Sequence, residues 1–383
     1  MATQVQSLSS VSAARTKAPE GYLFGPAVDF LCLGGSSLLL FPVMLLVPAD
    51  EYKVSVAAAM LLVAHFINHP HFAHSYQIFY RDFAGKVSGT SLGRTMQLRY
   101  IFAGIVAPAL LIAFCAYGIV TTDARLLGYG ANLMALAVGW HYVKQGYGML
   151  MVDAALKKRF FDDRTKKILL ANCYAVWGAA WLNFNAVVSK NDLWGLQYYT
   201  FSIPQPIVVA AGMIAVATGT VTLFALAAIW KAKRALPVNG VIAYVVSLYI
   251  WLLFVRVHPI WALVVPALHS LQYLLVVWRY QLNYASAQAS QDSYPQRSLA
   301  RQLLGPHLFR HFALFSAGGA LLGFLGFWGL PIIAGAIVPY DTAVLTGTLF
   351  LFVFWMVINV HHYLMDNVMW RRENPDTRRY LFG

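Results

Sequence analysis

Apolar residues run along this chain in stretches of about 20, the length a helix needs to cross the hydrocarbon core of a bilayer. Ten stretches stand out, at residues 28–48, 54–79, 98–120, 127–152, 167–188, 205–230, 238–256, 259–282, 311–337 and 342–368. Only Arg256, His258 and Pro259 separate the seventh from the eighth, so a tight hairpin is required there. Two segments break the pattern. Residues 284–308 are polar (Ser286, Gln288, Gln291, Asp292, Ser293, Gln296) and read as a cytoplasmic linker, and residues 1–22 read as a disordered cytoplasmic N-terminus. The pattern predicts an all-α polytopic helix bundle of ten spans, with one transmembrane domain over 23–370 and a cytoplasmic tail at 371–383.

Composition agrees: 59% of residues are hydrophobic and 11% are charged, against roughly 25% charged in soluble domains. The net charge of +13 would suit a nucleic-acid partner, but the basic residues sit in alternate short connections. Arg81, Lys86, Arg94 and Arg99 fall in one, Lys157 to Lys167 in the next but one, then Lys231, Lys233 and Arg234, then Arg279, Arg297, Arg301 and Arg310, then Arg371 to Arg379. The connections between them are poor in cations, which is the positive-inside pattern with both termini cytoplasmic. Nucleic acid is therefore not an expected partner. The expected setting is a multi-pass protein of a bacterial inner membrane, with a first apolar run that is retained rather than cleaved. Cys32, Cys115 and Cys173 lie far apart within apolar runs and read as buried thiols. Gly318, Gly319, Gly323, Gly326 and Gly329 in the ninth run predict close helix approach.

Histidine changes the picture. Of the eleven histidines, His65, His69, His71, His74, His141, His269, His361 and His362 fall inside the predicted spans, all on even-numbered ones. Ionisable residues at such depth are costly and point to function. Counting 1.5 Å per residue from the flanking charges puts His74 about 10 Å deep, His362 and His269 about 15 Å, His141 about 18 Å and His65 about 24 Å. Helices distant in sequence thus place imidazoles in one slab of the cytoplasmic half. His65 and His69 share a helical face at a chelating spacing, His71 and His74 are three apart, and Pro70 between the pairs predicts a kink. Amides follow the histidines: Gln77, Gln145 and Gln272, with Asn68, are candidates to orient imidazoles. Asp366, the one well-placed carboxylate, and Lys144, a candidate partner for it, are the candidate catalytic residues.

Imidazoles with few carboxylates suit iron, copper or zinc. The His65/His69 and His71/His74 pairs and the His361-His362 doublet resemble the histidine boxes of membrane desaturases and hydroxylases. As a multispan chain with intramembrane histidines, the protein is also similar to the bacterial β-carotene dioxygenases. The resemblance implies one or two non-haem iron ions held by the eight histidines. It further implies O₂-dependent oxidation of a lipid or isoprenoid entering from the bilayer, and an electron donor at the cytoplasmic face. Haem ligation for electron transfer, and a proton or metal path in a transporter or accessory subunit, are the alternatives.

Overall fold

The computed structural model describes residues 21–187, 191–193, 195–291 and 306–382. The expected disordered N-terminus lies outside these residues except for its last two positions. The expected linker is described only at its ends: residues 284–291 continue a helix, and Pro306 begins the next.

The chain is an all-α polytopic bundle. Its long helices are α1 (Pro26–Leu46), α2 (Ala49–Phe79), α3 (Arg94–Val120), α4 (Ala124–Leu156), α5 (Asp163–Val187), α6 (Gln205–Lys233), α7 (Val238–Val257), α8 (Pro259–Gln288), α9 (Arg310–Ile337) and α10 (Leu349–Met369). A short α11 (Pro375–Phe382) follows, and a two-stranded antiparallel hairpin pairs Asn191 with Tyr198 between α5 and α6. Eight of the long helices are long and apolar enough to cross a membrane. The chain is thus a multi-pass integral membrane protein.

The expectation of ten spans is corrected at α4 and α5. Both are long helices, but Asn132, His141, Lys144, Gln145 and Asp153 on α4, and Asn172, Asn183 and Asn185 on α5, make them too polar to qualify. Several of their polar groups are satisfied by protein. Asp153 accepts from the Gly240 backbone N–H at 2.9 Å and pairs with Lys157 at 2.6 Å. Asn132 donates to Asn185 at 2.6 Å, and Asn172 donates to the Tyr244 hydroxyl at 2.9 Å. Removing an adjacent pair leaves an even number of spans, so both termini stay on one side. α6 is at the other extreme, with only 6% of its most apolar stretch covered by protein; its exposed Met213, Val216, Leu223 and Phe224 suit lipid.

Local sequence sets the shape of the bundle where it matters. Pro70 has no N–H to offer the Phe66 carbonyl and its ring crowds that carbonyl, so α2 breaks one turn earlier. Ile67 takes φ −121° and ψ −57° between Ala49–Phe66 and Asn68–Phe79. Lys86 satisfies the end of α2 by donating to the carbonyls of Ile78 and Phe79, both at 3.0 Å. The α7–α8 hairpin is as tight as expected: His258 is extended (φ −159°), and Pro259–Leu263 forms a 3-10 turn that opens α8. Asp29 anchors the start of α1 by accepting backbone N–H groups from Leu23 (2.7 Å), Phe24 (2.9 Å) and Gly25 (3.3 Å).

The glycines of α9 lie against the histidine segment of α2. A Cβ on Gly323 would stand 2.9 Å from the His69 backbone, and one on Gly318 would stand 2.8 Å from Gln77 Nε2. Gly148 of α4 has open space instead. Gly323→Ala should therefore cost about 1–3 kcal/mol by overpacking and lower the thermal midpoint in detergent. Gly148→Ala should leave the midpoint unchanged or raise it, and equal midpoints for the two variants would contradict this packing.

Candidate metal centre

The break at Ile67 divides the histidines of α2. His65, on the first half, donates from Nδ1 to the Leu61 carbonyl at 2.8 Å and stacks on Trp328. His69 lies flat on Phe327, with ring centroids 4.5 Å apart. His74 stacks on Phe315 at 4.2 Å and meets Gln77 Oε1 through Nδ1 at 2.7 Å. These three face α9. His71 faces α8 and the centre of the bundle, where it is 1% exposed.

There His71 meets His141 of α4, His269 of α8, and His362 and Asp366 of α10. Ring centroids lie 4.4 Å apart for His71–His362, 5.1 Å for His71–His269, 4.8 Å for His141–His269 and 4.9 Å for His141–His362. Two overlapping groups, His71/His141/His269 and His141/His362/Asp366, each present ligand atoms within 4.8 Å of one another. His362 Nε2 is 3.3 Å from His141 Nε2 and 3.3 Å from Asp366 Oδ2, and His141 Nε2 is 4.0 Å from that oxygen. Atoms bound about 2.1 Å from one small ion at tetrahedral or octahedral angles lie about 3.0–3.4 Å apart. The closest separations match. All five residues are buried, so water does not compete for these positions.

Hydroxyl groups fix which nitrogens carry hydrogen. Ser270 Oγ gives its one hydrogen to Asn68 Oδ1 at 2.8 Å, so it accepts from His71 Nδ1–H at 3.0 Å. His71 Nε2 is then a bare lone pair, and it has no hydrogen-bond partner. Around His362, Tyr273 donates to Asp366 Oδ1 at 2.8 Å, so its oxygen accepts from Ser75 Oγ at 2.6 Å and from Trp370 Nε1 at 3.3 Å. Ser75 in turn accepts from His362 Nδ1–H at 2.7 Å. His362 Nε2 is thereby an acceptor, and it stands 3.3 Å from the carboxylate oxygen Asp366 Oδ2, itself an acceptor. His269 stacks on Tyr142 at 3.9 Å, and neither of its ring nitrogens has a hydrogen-bond partner. Each buried polar group left without a partner costs about 1–3 kcal/mol. A cation held by one of the two groups would remove that cost at the nitrogens it binds.

His361 is turned away. Its Nε2–H donates to the Ala103 carbonyl at 2.8 Å, and its Nδ1 accepts from Tyr76 at 2.9 Å, so both nitrogens are committed. The Ala103 carbonyl belongs to a π-helical turn at Phe102–Val106, where the widened backbone frees acceptors. Another at Leu31–Gly35 contains Leu33, whose carbonyl accepts from Gln272 Nε2 at 2.6 Å. Gln145 donates to the His269 carbonyl at 2.9 Å and to Gln272 Oε1 at 3.1 Å. The candidate amides therefore act in three ways: Asn68 holds His71 through Ser270, Gln77 holds His74, and Gln145 with Gln272 holds the α8 backbone. Lys144 lies over the Trp140 ring at 5.6 Å, while Asp366 is engaged by His141, His362 and Tyr273.

Ser75, Ser270 and Tyr273 do not stand out in the sequence, because serine and tyrosine are common in membrane helices. The available signals were that Ser75 follows His71 by one helical turn and that Tyr273 follows His269 by one. No protein-family model matches the chain, and no curated protein or solved structure is significantly similar to it.

Tyr273→Phe removes the hydroxyl that joins Asp366 to Ser75 while keeping the ring. Cobalt(II) affinity should fall about 10–100-fold, read by optical titration of the purified protein. Affinity equal to wild type would show that the hydroxyl chain does not orient the ligands.

Proposed function

We propose that the protein is a membrane-embedded oxidoreductase whose cluster of His71, His141, His269, His362 and Asp366 holds one non-haem iron. The substrate would be the hydrocarbon part of a lipid or isoprenoid. The observation that carries this reading is the convergence of unpartnered imidazole nitrogens and a carboxylate oxygen in a dry interior: His71 Nε2, His362 Nε2, the unprotonated nitrogen of His269 and Asp366 Oδ2, with His141 Nε2 at 3.3 Å from His362.

Four imidazoles and one carboxylate would suit a borderline first-row ion, which would supply the redox chemistry for O₂ activation. The spacing argues against haem, since rings 4.4–5.1 Å apart leave no room for a macrocycle between them. It also argues against a zinc hydrolase. Such an enzyme needs a free general base, and Asp366, the one carboxylate here, is turned toward the ligand atoms and held by Tyr273. In an oxygenation, RH + O₂ + 2 e⁻ + 2 H⁺ gives ROH + H₂O. The two electrons would come from a donor on the face carrying Arg81, Arg279 and Arg371. The hydrogen-bonded series Asp366–Tyr273–Ser75–His362 ties two of the proposed ligands to each other.

Purified protein should contain about one iron per chain by elemental analysis, show no Soret band, and consume O₂ when given reductant and membrane lipid. Alanine at His71, His141, His269 or His362 should remove the metal. Alanine at His65, His74 or His361 should leave it in place. A metal-free wild type, or a haem spectrum, would overturn the reading.

A further inference from the structure

One feature of the bundle leads from the lipid toward the cluster. α3, α9 and α10, with part of α2, enclose an open cavity of about 680 Å³, within the range of small-molecule sites of about 300–1,000 Å³. Its walls are apolar almost throughout, including Ile112 and Val120 of α3, Leu322 of α9, and Phe350 and Ile358 of α10, with Val338 just beyond α9. Along α10 it runs from Phe350 to Ile358, about 12 Å of helix, and His362 lies one further turn on, about 6 Å. The mouth is at Val120 and Val338, where α3 and α9 end beside the polar Thr121, Thr122 and Asp341. The inner end is at Phe72.

Phe72 is the contact between cavity and cluster. It lines the cavity, yet it is only 6% exposed. Its ring lies 4.8 Å from His362, 4.7 Å from His71 and 5.2 Å from Phe327. Tyr76 is the one hydroxyl in the lining, and it is committed to His361. A lipid headgroup at the inner end would therefore lose its hydration with nothing in exchange, whereas at the mouth it would stay wet.

The geometry points to this cavity as the substrate channel. It takes one hydrocarbon chain of a membrane lipid with the headgroup at the Val120–Val338 mouth and the distal end inward, and Phe72 separates the chain end from the ligands. The assignment rests on the metal-dependent reading of the cluster for its catalytic meaning, but chain binding itself does not depend on metal. Oxidation would then fall on the distal part of the chain, far from the headgroup. Phe72 is a positioning and specificity residue rather than a ligand.

The test is photo-crosslinking of the full-length protein with two fatty acids, one carrying a diazirine at the ω end and one carrying it beside the carboxyl. Labelled peptides are mapped by mass spectrometry, and metal content is measured on the same samples. The ω probe should label peptides bearing Phe72–Tyr76 and Val357–Ile358, and the carboxyl-side probe those bearing Val120, Val338 and Phe350. Ile358→Trp should reduce the inner labelling several-fold. Ile112→Trp, on the exposed rim from another helix, should do the same and covers the case in which the first variant misfolds. Labelling of the lipid-facing α6 should not change in either. Phe72→Ala should extend ω labelling to peptides bearing His362. Equal labelling by both probes in the cavity and on α6, or inner labelling indifferent to both tryptophans, would overturn the channel. Metal-loaded protein with that result would lose the channel alone. Metal-free protein with selective ω labelling would keep the channel and lose the oxidoreductase.

Discussion

The structure depends on an electrostatic requirement at its centre. The Asp366 carboxylate oxygen, the His362 lone pair and His141 Nε2 face one another at 3.3–4.0 Å in the buried centre of the bundle. The lone pair of His362 and the Asp366 oxygen repel each other unless something positive lies beside them, and in a low-dielectric interior the penalty is not screened. The surrounding hydrogen bonds intensify the requirement. Ser270 and Ser75 each take the Nδ1 hydrogen of a histidine, which leaves Nε2 of His71 and His362 bare. A site that needed only to bury neutral histidines would have been better served by giving each ring both a donor and an acceptor, as His361 has with Ala103 and Tyr76.

The rest of the bundle brings these groups together. The break at Ile67, forced by Pro70, turns His71 inward while His65 and His69 stay on the side of α9. Glycines let α9 seat against the broken helix at the His69 backbone. π-helical turns at Leu31–Gly35 and Phe102–Val106 supply carbonyls to Gln272 and His361, at a place where straight helices would offer none. α4 carries His141 and Gln145 through the interior with polar residues enough to drop it below the threshold for an independent span.

Much of the architecture was legible in the sequence, because lipid imposes its rules on long stretches. Helix lengths, the even parity of spans and the hairpin at Pro259 all follow from apolar run length and from where the cations fall. The count was overestimated at α4 and α5, where run length alone ignores polar residues that pack against protein. The selection among eight histidines was not legible. It turns on the rotation introduced below Ile67 and on which carbonyls and hydroxyls lie nearby, and these are contacts between residues far apart in the chain, such as Ser75 with His362, 287 positions apart. Asp366 was visible as the lone carboxylate four residues after His362. Ser75, Ser270, Tyr273 and Phe72 were not, since their meaning comes only from what they touch.

Metal K-edge X-ray absorption on the protein purified without added metal tests the central claim most directly. The account predicts an iron edge at about one ion per chain. Its first shell should be of nitrogen and oxygen at roughly 2.0–2.2 Å, with the multiple-scattering pattern of several imidazoles, and that pattern should be lost in His362→Ala. An absent edge, a porphyrin signature, or a spectrum unchanged by that substitution would contradict it.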